Sequence, residues 1–225
     1  MNDISKTIGW ADKSWNPITG CSAGCHYCYA RKIAMRFYGH FNPTFHPKRL
    51  SELSKLKKPK RIFVGSMGDL FDPGVKKEWR REVFGAMARV KRHTYFILTK
   101  QPQNIADIDP RYGINLFLGV SVTGPADLWR IAELLKQAEN KFTASGRPMS
   151  GSRFVSFEPL LTDVGIIPGL DKLELVIIGG QTNPTIIPAK AWVEGIKRQC
   201  KAKGVKYFLK GNLFEIPTIL LVNRP

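Results

Sequence analysis

Cysteine is scarce in this sequence of 225 residues, which contains four. So few thiols, unevenly placed, exclude a disulfide framework as the basis of the fold. Long apolar runs are missing too. No stretch approaches the roughly 20 residues that a membrane-spanning helix needs. The opening residues, MNDISKTIGWADKSW, lack the apolar centre of a secretory leader. These absences lead us to expect a cytoplasmic protein with no membrane partner. Acidic residues are few: 18 Asp and Glu stand against 35 Lys and Arg, a formal net charge of +17. An excess of that sign attracts polyanions and speeds their encounter. The bases gather at KKPKR (57–61), KKEWRR (76–81) and RVKRH (89–93). A solvated, lysine-rich surface and a nucleic-acid partner both account for that excess. Internal repeats and low-complexity tracts are also missing, which excludes a repeat array.

What is present is an apolar content of 43%, enough for one well-cored domain spanning residues 1–225. Short apolar runs alternate with longer amphipathic ones. RIFVGS (61–66), TYFILTK (94–100), LFLGVSV (116–122), RFVSFEPLL (153–161), LVIIGG (175–180) and KYFLK (206–210) read as strands. Helices are expected over 76–93, about 126–137 and about 189–203. The strands are apolar throughout, as expected when both faces are covered. Strand–helix–strand alternation predicts a parallel sheet, curled by right-handed crossovers into a partial (β/α) barrel. Polar and glycine residues follow nearly every strand, where ligands bind in parallel α/β folds. Residues 138–152 read as a polar loop, and 40–60 as an excursion able to cover the mouth of a site.

Three of the four cysteines, Cys21, Cys25 and Cys28, lie within CSAGCHYCYA, a C-x3-C-x2-C spacing in a loop of about 20–30. Thiolates select zinc or iron–sulfur clusters. A closed zinc site needs a fourth ligand from His26, His40, His46 or Cys200, none of which has zinc-finger spacing. A [4Fe–4S] cluster held by three cysteines leaves one iron open to a substrate or cofactor. Tyr27 and Tyr29 flank the last cysteine and could pack on a cluster or a nucleobase; ordinary packing is the simpler role for both.

Cys21, Cys25, Tyr27 and Cys28 form a C-x3-C-x-aromatic-C pattern that resembles the signature of the radical S-adenosylmethionine (radical SAM) superfamily. With IGWADKSWNPITGCSAGCHYCYA, GDLFD, ILTKQP, LGVSV, RFVSFEPLL and VIIGGQ in order, most of the chain resembles a phage-associated radical-SAM-like family of unassigned function. It is more distantly similar to the spore photoproduct lyases. The resemblance implies a partial barrel of radical SAM type, a [4Fe–4S] cluster on the three cysteines, and S-adenosylmethionine on the open iron. Reductive cleavage would then give a 5′-deoxyadenosyl radical that abstracts hydrogen from a substrate. A nucleic acid (DNA or RNA) or nucleotide is the expected substrate. A reductant such as flavodoxin or ferredoxin would be needed; a cluster-bearing protein that binds S-adenosylmethionine without turnover, or that needs a separate partner protein, is a third reading. A non-enzymatic zinc-binding nucleic-acid module is the alternative.

By position, GSMGD (65–69) stands where the superfamily receives the methionine amino group. Gly65 and Gly68 allow close approach, and Ser66 and Asp69 offer acceptors. A glycine turn with a capping aspartate explains the same residues. Ser121 and Thr123 are placed for ribose or carboxylate, or for capping a helix near Pro125. Glu158 is placed for cofactor or substrate, or for an ion pair with a lysine. Gly179, Gly180 and Gln181 are placed along adenine, although related sequences often carry glutamate at the last position. Lys100 and Lys210 end strands and could meet phosphate or carboxylate; an ordinary surface lysine is the simpler role for both. Cys200, the only spare thiol, reads as a packed residue, so thymine-dimer repair is not carried over. Trp10 and Trp15 are expected to pack beneath the cluster.

Overall fold

The computed structural model describes residues 1–142 and 152–213. Its strands are β1 (Asn2–Asp3), β2 (Lys13–Trp15), β3 (Ile18–Thr19), β4 (Thr44–Phe45), β5 (Arg61–Val64), β6 (Thr94–Thr99), β7 (Asn115–Ser121), β8 (Ser152–Phe157), β9 (Leu175–Ile178), β10 (Gln181–Thr182), β11 (Thr185–Ile186) and β12 (Lys206–Leu209). Its α-helices are α1 (Tyr29–Tyr38), α2 (Glu52–Lys55), α3 (Lys77–Arg89), α4 (Trp129–Phe142) and α5 (Lys190–Lys203). Eight strands form one curled sheet in the order β1-β2-β5-β6-β7-β8-β9-β12. Only β1 runs antiparallel to its neighbour; every later pair is parallel. The fold is therefore mixed α/β, a mostly parallel half-barrel.

Alternation along each strand sends side chains to two apolar layers. Ile62, Val64, Tyr95, Ile97, Leu118, Val155, Phe157, Val176 and Ile178 face α3, α4 and α5 in the main core. The helices contribute Val83, Phe84 and Met87, then Ile131 and Leu134, then Val193, Ile196 and Cys200. The intervening Phe63, Phe96, Phe117, Phe154, Ile177 and Phe208 form a second layer on the opposite face. There the segment from Ile4 to Ala11 crosses the sheet and fills it with Trp10, whose ring lies 4.9 Å from Phe63 and 5.5 Å from Phe96. The covering of both faces explains why the strand sequences read as continuous apolar runs.

Several sequence expectations change in detail. Neither Trp10 nor Trp15 packs with Cys21 and Cys28 as expected: Trp10 fills the second layer, and Trp15 lies in the helix-side core and donates its indole N–H to the Arg49 carbonyl at 2.8 Å. α4 extends to Phe142, because AENKF continues a helix-forming run, so the first part of the expected 138–152 loop is helical. Residues 143–151 of that loop lie outside the described residues. The 40–60 excursion contains β4, which pairs with β3, then a 3-10 turn and α2. It backs the cysteine loop: Phe41 packs with Cys21 and Cys28, and its carbonyl accepts the Cys21 N–H at 3.0 Å. No helix among the described residues is long and apolar enough to cross a membrane.

Candidate functional site

All seven parallel strands deliver polar or glycine residues at their carboxyl ends, and the cysteine loop joins that rim. Asn16 follows β2, GSMGD follows β5, and Lys100 follows β6. Ser121 ends β7, Glu158 follows β8, Gly179–Gln181 follow β9, and Lys210 follows β12.

The cysteine loop is built from short-range bonds. Cys28 caps α1 and its sulfur accepts the Arg31 N–H at 3.3 Å, while its own N–H reaches the Cys25 carbonyl at 3.1 Å. The Cys21 sulfur accepts the Ala23 N–H at 3.3 Å. All three thiols are free and partly exposed, so they remain open to a soft metal group. Burial pushes the Cys21 thiol up to about 12, and the Asp69 and Asp72 carboxylates nearby add to the rise. Metal binding would displace that proton. Among the described residues, no three His, Cys, Asp or Glu side chains gather around a point that one metal ion could fill. A cubane takes its thiolates on separate irons, so its ligands need not converge as those of one tetrahedral ion must. Cys200 lies in the helix-side core, apart from this loop, and supplies neither a fourth ligand nor a thiol at the rim.

Backbone contact joins the loop to GSMGD. Gly20 and Gly68 bridge in parallel, with the Gly20 N–H on the Met67 carbonyl at 2.9 Å. A Cβ on Gly68 would stand 2.8 Å from the Gly20 carbonyl oxygen. Gly65 turns the chain at φ +83°. Asn16 braces the same turn, its Oδ1 accepting the Met67 N–H at 2.9 Å and the Ser66 hydroxyl at 3.2 Å. The Tyr29 hydroxyl donates to the Ser66 carbonyl at 2.5 Å. Asp69 turns inward: it accepts from the Thr99 hydroxyl at 2.8 Å and from the Lys100 and Phe71 N–H groups at 2.9 and 3.0 Å. Burial raises its pKa despite those donors. We expect Asn16→Ala to lower stability by about 1 kcal/mol, read from urea unfolding.

Asp72 is a residue that the sequence did not single out. Its carboxylate takes the Ser22 N–H and hydroxyl at 2.7 Å each, and the Gly74 N–H at 2.9 Å. Burial opposes ionisation, but these donors outweigh it and hold the carboxyl below its usual range. Asp72→Ala is expected to cost about 2 kcal/mol, read from urea unfolding.

On the other flank, Lys100 Nζ lies 5.7 Å from the centre of the Tyr27 ring. Burial first, then the neighbouring Cys25, raises the Tyr27 pKa and keeps the phenol protonated. Thr123 donates its N–H and hydroxyl to Asp127 at 2.9 and 2.8 Å, and Asp127 pairs with Arg130 at 2.9 Å. Arg130 also donates to the Ser121 carbonyl at 2.9 Å. Glu158 pairs directly with Lys210, which is 7% exposed. Gly179 lies between them: a Cβ there would meet Lys210 Cδ at 3.0 Å and Glu158 Cγ at 3.2 Å. Asn212 clamps Gly180, accepting its N–H at 3.2 Å and donating to its carbonyl at 2.7 Å. Gln181 is buried and donates to the Pro184 carbonyl at 3.0 Å.

Among the described residues, six buried side-chain polar atoms have no hydrogen-bond partner: Ser156 Oγ, Gln181 Oε1 and Arg130 Nε beside the strand ends, and Trp10 Nε1, Glu52 Oε2 and His93 Nε2 elsewhere. Ser156 shares a strand face with Phe154 and is in register with Ser121, so its hydroxyl belongs to the concave side. Buried polar groups are satisfied as a rule, so Ser156 Oγ and Gln181 Oε1, beside the strand ends, are free to take a polar partner there. The carboxyl-end rim brings Asn16, the GSMGD turn, Ser121, Glu158, Gly179–Gln181 and Lys210 together, with Asp72, Arg130 and Asn212 bonded to its loops, while Cys200 and Trp15 lie in the helix-side core.

A family model described as a protein of unknown function (DUF5131) matches residues 5–213. No curated protein and no solved structure matches the chain.

Proposed function

The chain belongs to the DUF5131 family of unknown function, and we propose that it is a radical SAM enzyme acting on a nucleic acid or nucleotide. The observation that carries the reading is the position of three free thiols on one loop, at the carboxyl-end rim of a parallel half-barrel. Cys21, Cys25 and Cys28 would hold a [4Fe–4S] cluster with one iron open. That cluster, with S-adenosylmethionine bound, supplies one-electron cleavage of the sulfonium and a 5′-deoxyadenosyl radical.

The chain's own residues bind, orient and exclude. Gly65–Gly68, braced by Asn16 and Tyr29, present backbone beside the cysteine loop. Asp69 positions that segment from below through Thr99 and Lys100, and does not itself reach a ligand. The Glu158–Lys210 pair offers one charge of each sign, suited to the carboxylate and ammonium of an amino acid group. Ser156 and Gln181 offer an unsatisfied hydroxyl and amide oxygen for the remaining polar groups. The Trp10 layer fills the concave face with apolar side chains and would keep bulk water out of it. The net charge of +17 supports a polyanionic substrate.

The test is anaerobic loading with iron and sulfide, followed by dithionite and S-adenosylmethionine. The reading predicts 5′-deoxyadenosine. A single tightly held zinc with no cleavage would sink it in favour of a zinc-binding nucleic-acid module.

A further inference from the structure

α1 packs on the cysteine loop through a narrow strip, Ala30 and Ala34 against Phe41, Cys21, Cys28 and Met67. Of its ten residues, only Ala30 and Ala34 are buried. Five large apolar side chains stand in the open: Tyr29, Ile33, Met35, Phe37 and Tyr38, the last two 69% and 72% exposed. Contiguous exposure of this kind marks an interaction surface. The helix carries Arg31, Lys32 and Arg36 and no acid. Arg36 lies over the Phe37 ring, 5.7 Å from its centre. Tyr29, Ile33 and Phe37 fall at i, i+4 and i+8, a stripe about 12 Å long. Lys32 and Arg36 form a parallel row beside it. The stripe begins at the cysteine loop, where Tyr29 bonds Ser66, and Lys32 Nζ reaches the Asn183 carbonyl beside β10 at 2.9 Å. It therefore leads from open solvent into the rim of the site.

We propose that this face of α1 docks single-stranded nucleic acid and guides it to the site. Aromatic side chains interleaved with cations are what an unpaired strand requires: rings for the bases and charges for the phosphates. A protein partner would match the apolar side chains but would leave Lys32, Arg36 and a strongly basic chain uncompensated; Arg31 turns back onto the Cys21 carbonyl and the Phe41 ring. A duplex keeps its bases stacked away from such rings. The proposal rests on the nucleic-acid reading of the function, and the experiment keeps the two apart.

The measurement is fluorescence anisotropy of the full chain with labelled oligothymidylate and oligouridylate of about 20 nucleotides, and with a duplex of equal length, over a salt series. The double variant Phe37→Ala/Tyr38→Ala is expected to bind single strands about tenfold more weakly with an unchanged salt slope. Arg36→Gln is expected to flatten that slope by about 0.7. Ile166→Ala, an exposed apolar change in the loop against α5, should leave both unchanged. Circular dichroism should show every variant folded. Single-strand affinity that ignores the aromatic changes, or a duplex bound equally well, overturns the proposal. So does an absence of oligonucleotide binding together with self-association that the α1 changes abolish, which would make the face a protein interface. The same preparations are assayed for S-adenosylmethionine cleavage without oligonucleotide. Strand binding that depends on α1 in a protein that makes no 5′-deoxyadenosine supports the docking face and refutes the enzyme reading. Cleavage without strand binding refutes the docking face alone.

Discussion

Gly20→Ala is expected to lower the melting temperature by about 10 °C and, under the proposed function, to abolish stable iron loading. Gly20 has φ +90°, and a Cβ there would stand 2.1 Å from the Asn42 carbonyl oxygen and 2.8 Å from the Pro43 nitrogen. Those are backbone atoms, so no rotamer change relieves the clash. Left-handed backbone in a residue with a Cβ costs about 1–2 kcal/mol, and overpacking adds about 1–3 kcal/mol. Relief requires the 41–43 segment to move. The Phe41 carbonyl holds the Cys21 N–H, and Gly20 itself holds Met67 and Asp69. One added methyl group therefore disturbs the cysteine loop and GSMGD together. Gly24 is the control. Its φ is +68°, but its Cβ would meet only the Ser22 carbonyl oxygen, at 4.0 Å. Gly24→Ala should cost about 1 kcal/mol and keep the iron. Thermal unfolding and an iron assay on both variants make the comparison. Equal losses would show that backbone conformation alone, and not the close approach, governs the loop.

Glu158→Gln is expected to be the more damaging half of the Glu158–Lys210 pair. The Lys210 side chain is 7% exposed and that of Glu158 is 25% exposed. Removing the carboxylate leaves an ammonium with little water and no counter-ion, a loss of about 3 kcal/mol. Lys210→Met keeps most of the volume and leaves a carboxylate that water reaches, a loss of about 1–2 kcal/mol. Urea unfolding of the two variants reads the order. The reverse order would mean that water, not Glu158, compensates the lysine. Under the proposed function, both variants also bind S-adenosylmethionine more weakly, because each removes one of the two charges offered to it.

The sheet was legible because its strands are apolar on both faces, and periodicity with strand–helix alternation then requires parallel pairing. The site's membership was legible for a related reason. In such a sheet every polar residue just past a strand arrives at one rim, so Ser66, Ser121, Glu158 and Gln181 were placed together without knowledge of contacts. What each side chain does there was not legible. Asp69 and Asp72 are two acids of one motif, GDLFD. One is fixed inward by Thr99 and the other holds Ser22, a residue 50 positions away. Glu158 and Lys210 are separated by 52 residues and meet because β8, β9 and β12 are adjacent. An ion pair between Glu158 and a lysine was open from the sequence, but which lysine was not, and local sequence carries no sign of the Asp72–Ser22 contact. Trp10 and Trp15 show the same limit. They are five residues apart, yet the turn before β2 puts them on opposite faces of the sheet.

The measurement that tests the central claim most directly is Mössbauer spectroscopy of the protein loaded with iron-57 and sulfide, before and after S-adenosylmethionine is added. Three thiolates and an open position predict about four irons per chain, one of which changes its parameters when S-adenosylmethionine binds while the others do not. Four equivalent irons that ignore the addition, or a chain that takes up no cluster, would contradict the account.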